Sequence, residues 1–205
     1  MTHSASPSIL IVPGLRDHVA DHWQTLLAAR LPQAHTVAPL THDKLLCTAR
    51  VEALERTLAA IGGPVIIVAH SLGCHALAHW AASEPDAANS GVAAAMLVAP
   101  PNVDSHPLDS RLKSFGPAPR FALPFPTIVV GSENDPYCSI DHSLKLARRW
   151  GARFVNAGRF GHINADSGIG TWPYGQYLLS DLLRQQHING DPSHVPGRTI
   201  ERHLP

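Results

Sequence analysis

The stretch Pro64-Val65-Ile66-Ile67-Val68-Ala69-His70-Ser71-Leu72-Gly73 reads as a buried strand that turns sharply at a serine into a helix. A continuous apolar, β-branched run precedes the serine, and the alanine-rich segment Cys74 to Ala82 follows it. The pattern is AxSxG rather than GxSxG. Residues two before and two after the serine must be small, because strand and helix nearly touch there, and Ala69 adds only one methyl group. This is the layout of a nucleophile elbow, and it points to an enzyme.

Outward from the elbow, strands alternate with helices. Arg50 to Ile61 places Val51, Leu54, Leu58 and Ile61 at helical spacing and stops at Gly62-Gly63-Pro64. Ile9 to Val12 is a short apolar run ending in Pro13-Gly14. A helical pattern follows, with Trp23, Leu26, Leu27 and Leu31 on one face, and His35 to Ala38 is strand-like and closed by Pro39. Val92 to Val98, Thr127 to Val130 and Arg153 to Val155 read as three more strands; helices Asp141 to Trp150 and Tyr174 to Gln185 follow the last two. The pattern predicts an α/β fold of about six mostly parallel strands with helices on both faces, since right-handed crossovers place helices there.

A chain of 205 residues, 44% of them hydrophobic, suits one domain. Residues 1–186 are expected to form it, with 187–205 as a polar tail or surface arm. The Pro-rich segment Pro100 to Pro126 is too broken for a cap domain and is expected to wall one side of a ligand crevice. Sixteen basic and sixteen acidic residues leave no broad electrostatic footprint for nucleic acid or an anionic membrane; a small, roughly neutral ligand fits better. Cys47, Cys74 and Cys138 are odd in number and form no CxxC pair, which argues against a disulfide framework or a cysteine zinc site and for a reducing, cytoplasmic setting. The N-terminal apolar run soon meets Arg16 and Asp17, too early for a signal sequence or a membrane span.

A serine hydroxyl attacks near neutral pH only if an imidazole takes its proton, and the imidazole needs a carboxylate to fix its tautomer and stabilise its charged form. In this fold class the chain order is Ser, acid, His. The loop after Thr127 to Val130 carries Asp135, and the loop after Arg153 to Val155 carries His162, bracketed by Gly158, Gly161 and Gly168. Both loops leave the same sheet edge as Ser71. Asp135 also reads as a turn residue before Pro136, with Glu133 and Asp141 as competing acids, and His162 is one of 14 histidines. The expected oxyanion donors are the backbone N–H groups of Leu72, at the start of the helix after the elbow, and of Leu15 in the Pro13-Gly14-Leu15 turn. His70 is expected to pack beside the pocket or form its rim. Tyr137 and Trp172 are pocket candidates that core packing would explain equally well. His18, Asp21 and His22 have ligand-like spacing, but solvated polar spacing explains them too, and no metal site is assigned. Cys74 reads as a small core residue.

The run Gly161-His162-Ile163-Asn164-Ala165-Asp166-Ser167-Gly168-Ile169-Gly170-Thr171-Trp172-Pro173 is far more specific than a serine-centred pentapeptide. Together with Asp135-Pro136-Tyr137, Trp150-Gly151, Asn156-Ala157-Gly158 and Val12-Pro13-Gly14, it resembles the small α/β-hydrolase family that includes YdeN and the retinoblastoma-binding serine hydrolase, over roughly Ile9 to Leu183. The resemblance implies a single-domain α/β-hydrolase fold with no large cap, and a Ser71, Asp135, His162 triad. It also implies esterase-like or peptidase-like activity without a cofactor. The expected function is hydrolysis of a small ester, thioester or amide through an acyl-enzyme, with the acyl substrate and water as partners; no protein partner is indicated. The alternative is a non-catalytic interaction module on the same scaffold. A nucleotide-binding α/β protein is excluded, because neither GxGxxG nor a Walker lysine follows the first strand.

Overall fold

In the computed structural model, which describes residues 6–105 and 110–189, all six strands pair in parallel in one sheet of order β2-β1-β3-β4-β5-β6. The strands are β1 (Ser8–Val12), β2 (Ala34–Thr36), β3 (Val65–His70), β4 (Val92–Val98), β5 (Thr127–Gly131) and β6 (Arg153–Asn156). Five α-helices accompany them: α1 (Trp23–Ala28), α2 (Cys47–Ala60), α3 (Leu72–Ser83), α4 (Ile140–Arg149) and α5 (Pro173–Asn189). This is the single-domain α/β-hydrolase architecture, with no large cap among the described residues. Among the described residues, no helix is long and apolar enough to cross a membrane.

Alternate residues of each strand serve opposite apolar layers, as the two-residue period requires. Leu10, Val12, Ile67, Ala69, Leu97 and Val129 pack with Leu54 of α2, Leu77 of α3, Leu146 of α4 and Trp150. Ile9, Ile11, Ile66, Val68, Met96 and Val130 pack with Trp23 and Leu27 of α1 and Leu178, Leu179 and Leu182 of α5. Because β3 is buried along its whole length, its sequence is continuously apolar rather than alternating.

The topology positions the site. After β1 the chain passes through α1, on one face, to the edge strand β2; it then returns through α2 to β3 and leaves through α3 on the other face. The β1 and β3 exits therefore diverge and open a crevice at the carboxyl ends of the strands, the switch point of a doubly wound sheet. Buried Gln24 ties the two strands there, its Nε2 donating to Val68 O at 2.9 Å and Val12 O at 3.3 Å.

Several boundaries differ from the sequence reading. α2 starts three residues before Arg50, because its Cys47 N–H is taken up by Ser114 Oγ at 3.0 Å, a partner 67 residues away. β2 ends at Thr36 rather than Ala38, although Val37 N–H still donates to Ile11 O. α1 stops at Ala28, leaving Leu31 outside the helix. At the other end, α5 continues to Asn189, past the expected start of the tail; residues 190–205 of that tail lie outside the described residues.

The Pro-rich connection between β4 and β5 includes the 3-10 turn Ser110–Phe115 and is fastened from behind. His75 and His79 of α3 donate through Nε2 to Pro101 O (2.8 Å) and Phe115 O (2.9 Å), Trp150 Nε1 donates to Pro119 O, and Asp104 pairs with Arg149 at 2.6 Å.

Gly73 shows how tightly the elbow is packed. A Cβ there would lie 2.5 Å from Val12 O and 2.8 Å from Pro13 O, both backbone atoms. In an open helix, Gly→Ala stabilises by about 1 kcal/mol. Here the clash reverses the sign: Gly73→Ala is expected to destabilise the protein by about 1–3 kcal/mol in urea unfolding. Gly62→Ala, where a Cβ meets nothing within 4 Å, should stay within about 0.5 kcal/mol of wild type.

Candidate active site

Ser71 sits between β3 and α3 with φ 53° and ψ −123°, a backbone state that costs a non-glycine residue about 1–3 kcal/mol and turns the side chain out of the sheet edge. Its N–H still donates to Val98 O at 2.9 Å, so the elbow stays tied to β4. Gly14, after β1, lies against it: a Cβ on Gly14 would come within 2.9 Å of Ser71 Cβ.

His162 Nε2 lies 2.9 Å from Ser71 Oγ, and Nδ1 lies 2.9 and 3.0 Å from the two carboxylate oxygens of Asp135. A carboxylate can only accept, so the proton sits on Nδ1 and Nε2 is left to accept from the serine hydroxyl. The side chains of His162 and Asp135 are 9% and 2% exposed, which shields the pair from water. Asp135 Oδ1 also accepts from Tyr137 N–H, so the turn before Pro136 and the histidine contact are made by one carboxylate. Of the competing acids, Glu133 accepts from Asn156 Nδ2, and Asp141 lies in the first turn of α4. The acid and histidine loops are laced together: Asn134 Oδ1 accepts from Gly161 N–H, and Ser132 Oγ accepts from Phe160 N–H.

A cavity of about 290 Å³ opens beside Ser71. Leu15, Leu72, His162 and Tyr137 line it, as do Pro101, Arg111 and Leu112 of the Pro-rich segment, which thus forms a wall. Neither His70 nor Trp172 reaches it. The His70 ring turns into the interior, where its Nε2–H donates to the backbone carbonyl of His162 at 2.9 Å. Trp172 packs edge-on against Trp23 in the α1/α5 layer, with ring centroids 4.9 Å apart. For both residues the packing reading holds over the pocket one, because the strand and loop backbones carrying them point their side chains at the core.

Sequence reasoning missed His22, Arg16, Asn164 and Asp166, which also line the cavity. Arg16 and Asp166 form an ion pair that joins the β1 and β6 loops at the mouth, a pairing 150 residues apart that no local pattern signals. His18 and His22 precede α1 rather than sharing a helical face. His18 Nε2 meets Val37 O, and His22 Nδ1 accepts from Gln24 N–H as the N-cap of α1.

The histidines around His162 are held neutral. Burial pushes His22 down to about 4, and His162 and Arg16 act in the same direction. His70 is driven well below its ordinary value, first by burial and then by His162 and His22. Leu15 and Leu72 both face the cavity, and Leu72 opens α3, where the first-turn N–H groups have no partner within the helix.

A family model described as serine hydrolase matches residues 9–181, and the chain belongs to that family. A YdeN-like hydrolase from Pectobacterium atrosepticum is 30% identical, with 88% of this chain and 92% of that one covered and a TM-score of 0.74. The ydeN gene product of B. subtilis is 21% identical over 87% and 99% of the two chains, with a TM-score of 0.72. The type II thioesterase BorB, at 14% identity over 89% and 94% of the chains and a TM-score of 0.62, shares the fold. No curated protein matches. The protein is a hydrolase of the YdeN-like serine hydrolase family.

Buried neutral histidines make folding depend on pH. His22 and fully buried His75 are both lowered to about 4 by burial, from an ordinary 6.5, so between those values the unfolded chain binds more protons than the native one. Stability is therefore full above about pH 6.5 and is lost as pH falls toward 4, by up to roughly 3 kcal/mol per histidine. Urea unfolding across that range should show the loss, and His75→Gln should flatten it.

Proposed function

We propose that Ser71 is the nucleophile of an acyl-enzyme mechanism on a small ester, thioester or amide, with His162 as general base and then acid and Asp135 as the orienting carboxylate. The observation that carries this reading is the chain of contacts from Ser71 Oγ through His162 to both oxygens of Asp135, each at 2.9–3.0 Å. Ser71 Oγ attacks the carbonyl carbon as its proton passes to His162 Nε2, and the imidazolium is held by Asp135. The N–H groups of Leu15 and Leu72 receive the oxyanion. Collapse of the tetrahedral intermediate breaks the bond to the leaving group, which takes the proton from Nε2; water, activated by the same nitrogen, then frees the acid. Neutral His22 and His70 add no positive charge against the imidazolium as it forms. A cavity of about 290 Å³ is at the small end for ligand sites and favours short acyl groups.

Labelling with a fluorophosphonate probe tests the reading. Wild-type protein should label rapidly, while Ser71→Ala and His162→Ala should not; labelling of Ser71→Ala at the wild-type rate would falsify the assignment. Asp135→Asn, which places the wrong tautomer toward Ser71, should slow hydrolysis by about 10³–10⁴-fold. Among p-nitrophenyl esters, kcat/KM should be higher for acetate and butyrate than for palmitate, and a preference for palmitate would contradict the small-acyl reading.

A further inference from the structure

Arg50 is a buried cation with no place in the chemistry above. Its side chain is 6% exposed, as is that of its partner Asp17 at 3.6 Å. Burying such a pair is costly unless the remaining donors are satisfied, and here they are spent on main-chain carbonyls. Nη1 donates to Gly14 O at 3.1 Å, Nη2 to Leu15 O at 3.3 Å, and Nε to Lys44 O at 2.9 Å. Gly14 O accepts a second bond from Asp17 N–H at 3.1 Å, closing the turn, and Asp17 itself has a positive φ of 52°.

The consequence follows from the planarity of the peptide. In a trans peptide the C=O of one residue and the N–H of the next point in opposite directions. Gly14 C=O and Leu15 N–H belong to one such plane, so holding the carbonyl on Arg50 aims the N–H the other way. Arg50 lies on the α2 side of the turn, at a small recess lined by Val37, Ala53 and Ala76, whereas Leu15 borders the cavity with Ser71 and Leu72; Asp17 borders both.

We propose that Arg50 is a positioning residue that presets the oxyanion hole, by clamping the Gly14 and Leu15 carbonyls so that the Leu15 N–H faces the reacting carbonyl. This rests on the reading of Leu15 N–H as an oxyanion donor. Arginine is suited to the task because its planar fork serves three carbonyls and a carboxylate at fixed angles. Lysine supplies the charge without the fork.

The test compares wild type with Arg50→Lys and with the double variant Asp17→Asn/Arg50→Gln, which removes both charges and leaves no buried carboxylate uncompensated. In folded protein, each should lower kcat for p-nitrophenyl acetate by about 10²-fold, as the loss of one oxyanion donor does, with KM nearly unchanged. Inhibition by a small boronic acid, which forms a tetrahedral adduct on the serine, should weaken by a similar factor. Wild-type kcat and boronate affinity in either folded variant would overturn the proposal, as would a loss confined to KM or to thermal stability. Wild-type protein that neither labels with fluorophosphonate nor turns over would overturn the hydrolase reading and this inference together. An active wild type with equally active Arg50 variants would overturn this inference alone.

Discussion

The backbone of Ser71 is held in a conformation that an isolated chain would leave, and the site depends on that restraint. Three contacts enforce it: the N–H bond to Val98 keeps the end of β3 in the sheet, Gly73 lets α3 lie against Val12 and Pro13, and Gly14 lets the β1 loop close over the serine. A Cβ at either glycine would collide with its neighbour before Ser71 could reach its position. The few kcal/mol stored in that turn are offset by a sheet buried on both faces.

Around the serine, the protein makes an imidazole network with separated duties. Among the described histidines, His162 alone has a carboxylate at one nitrogen and a hydroxyl at the other. His70, one residue before Ser71, holds the His162 main chain through its carbonyl, and His22 caps α1 and borders the cavity. Their rings are close, 4.6 Å between His22 and His70 and 5.0 Å between His70 and His162, so two positive charges there would repel strongly. Burial avoids the conflict by keeping His22 and His70 uncharged at neutral pH.

The loops are fixed to the scaffold by groups that lie outside the cavity. His75, His79, Trp150 and the Asp104–Arg149 pair hold the Pro-rich wall, while Ser132 and Asn134 hold the histidine loop. Arg50 does the same for the β1 turn. Apart from the Asp104–Arg149 ion pair, a side chain on a regular element or its flanking loop bonds main-chain groups of an irregular one in each case, which positions a loop without filling the space a substrate needs.

The strands, the elbow and the Ser71, Asp135, His162 order were legible in the sequence because they rest on local signals: apolar runs, small residues about the serine, and glycines beside the histidine. The wall formed by the Pro-rich segment was legible for the same reason. Local pattern left Glu133 and Asp141 competing with Asp135, which the family resemblance favoured; the folded turn before Pro136 is what brings the Asp135 carboxylate to His162. Tertiary structure alone turned His70 and Trp172 inward, started α2 at Cys47 with a hydroxyl from Ser114, and brought Arg16 to Asp166 and Arg50 to Gly14 and Leu15. A residue's backbone preference is written in its neighbours. The partner of its side chain is chosen by chain segments folded in from elsewhere, and no local pattern encodes that choice.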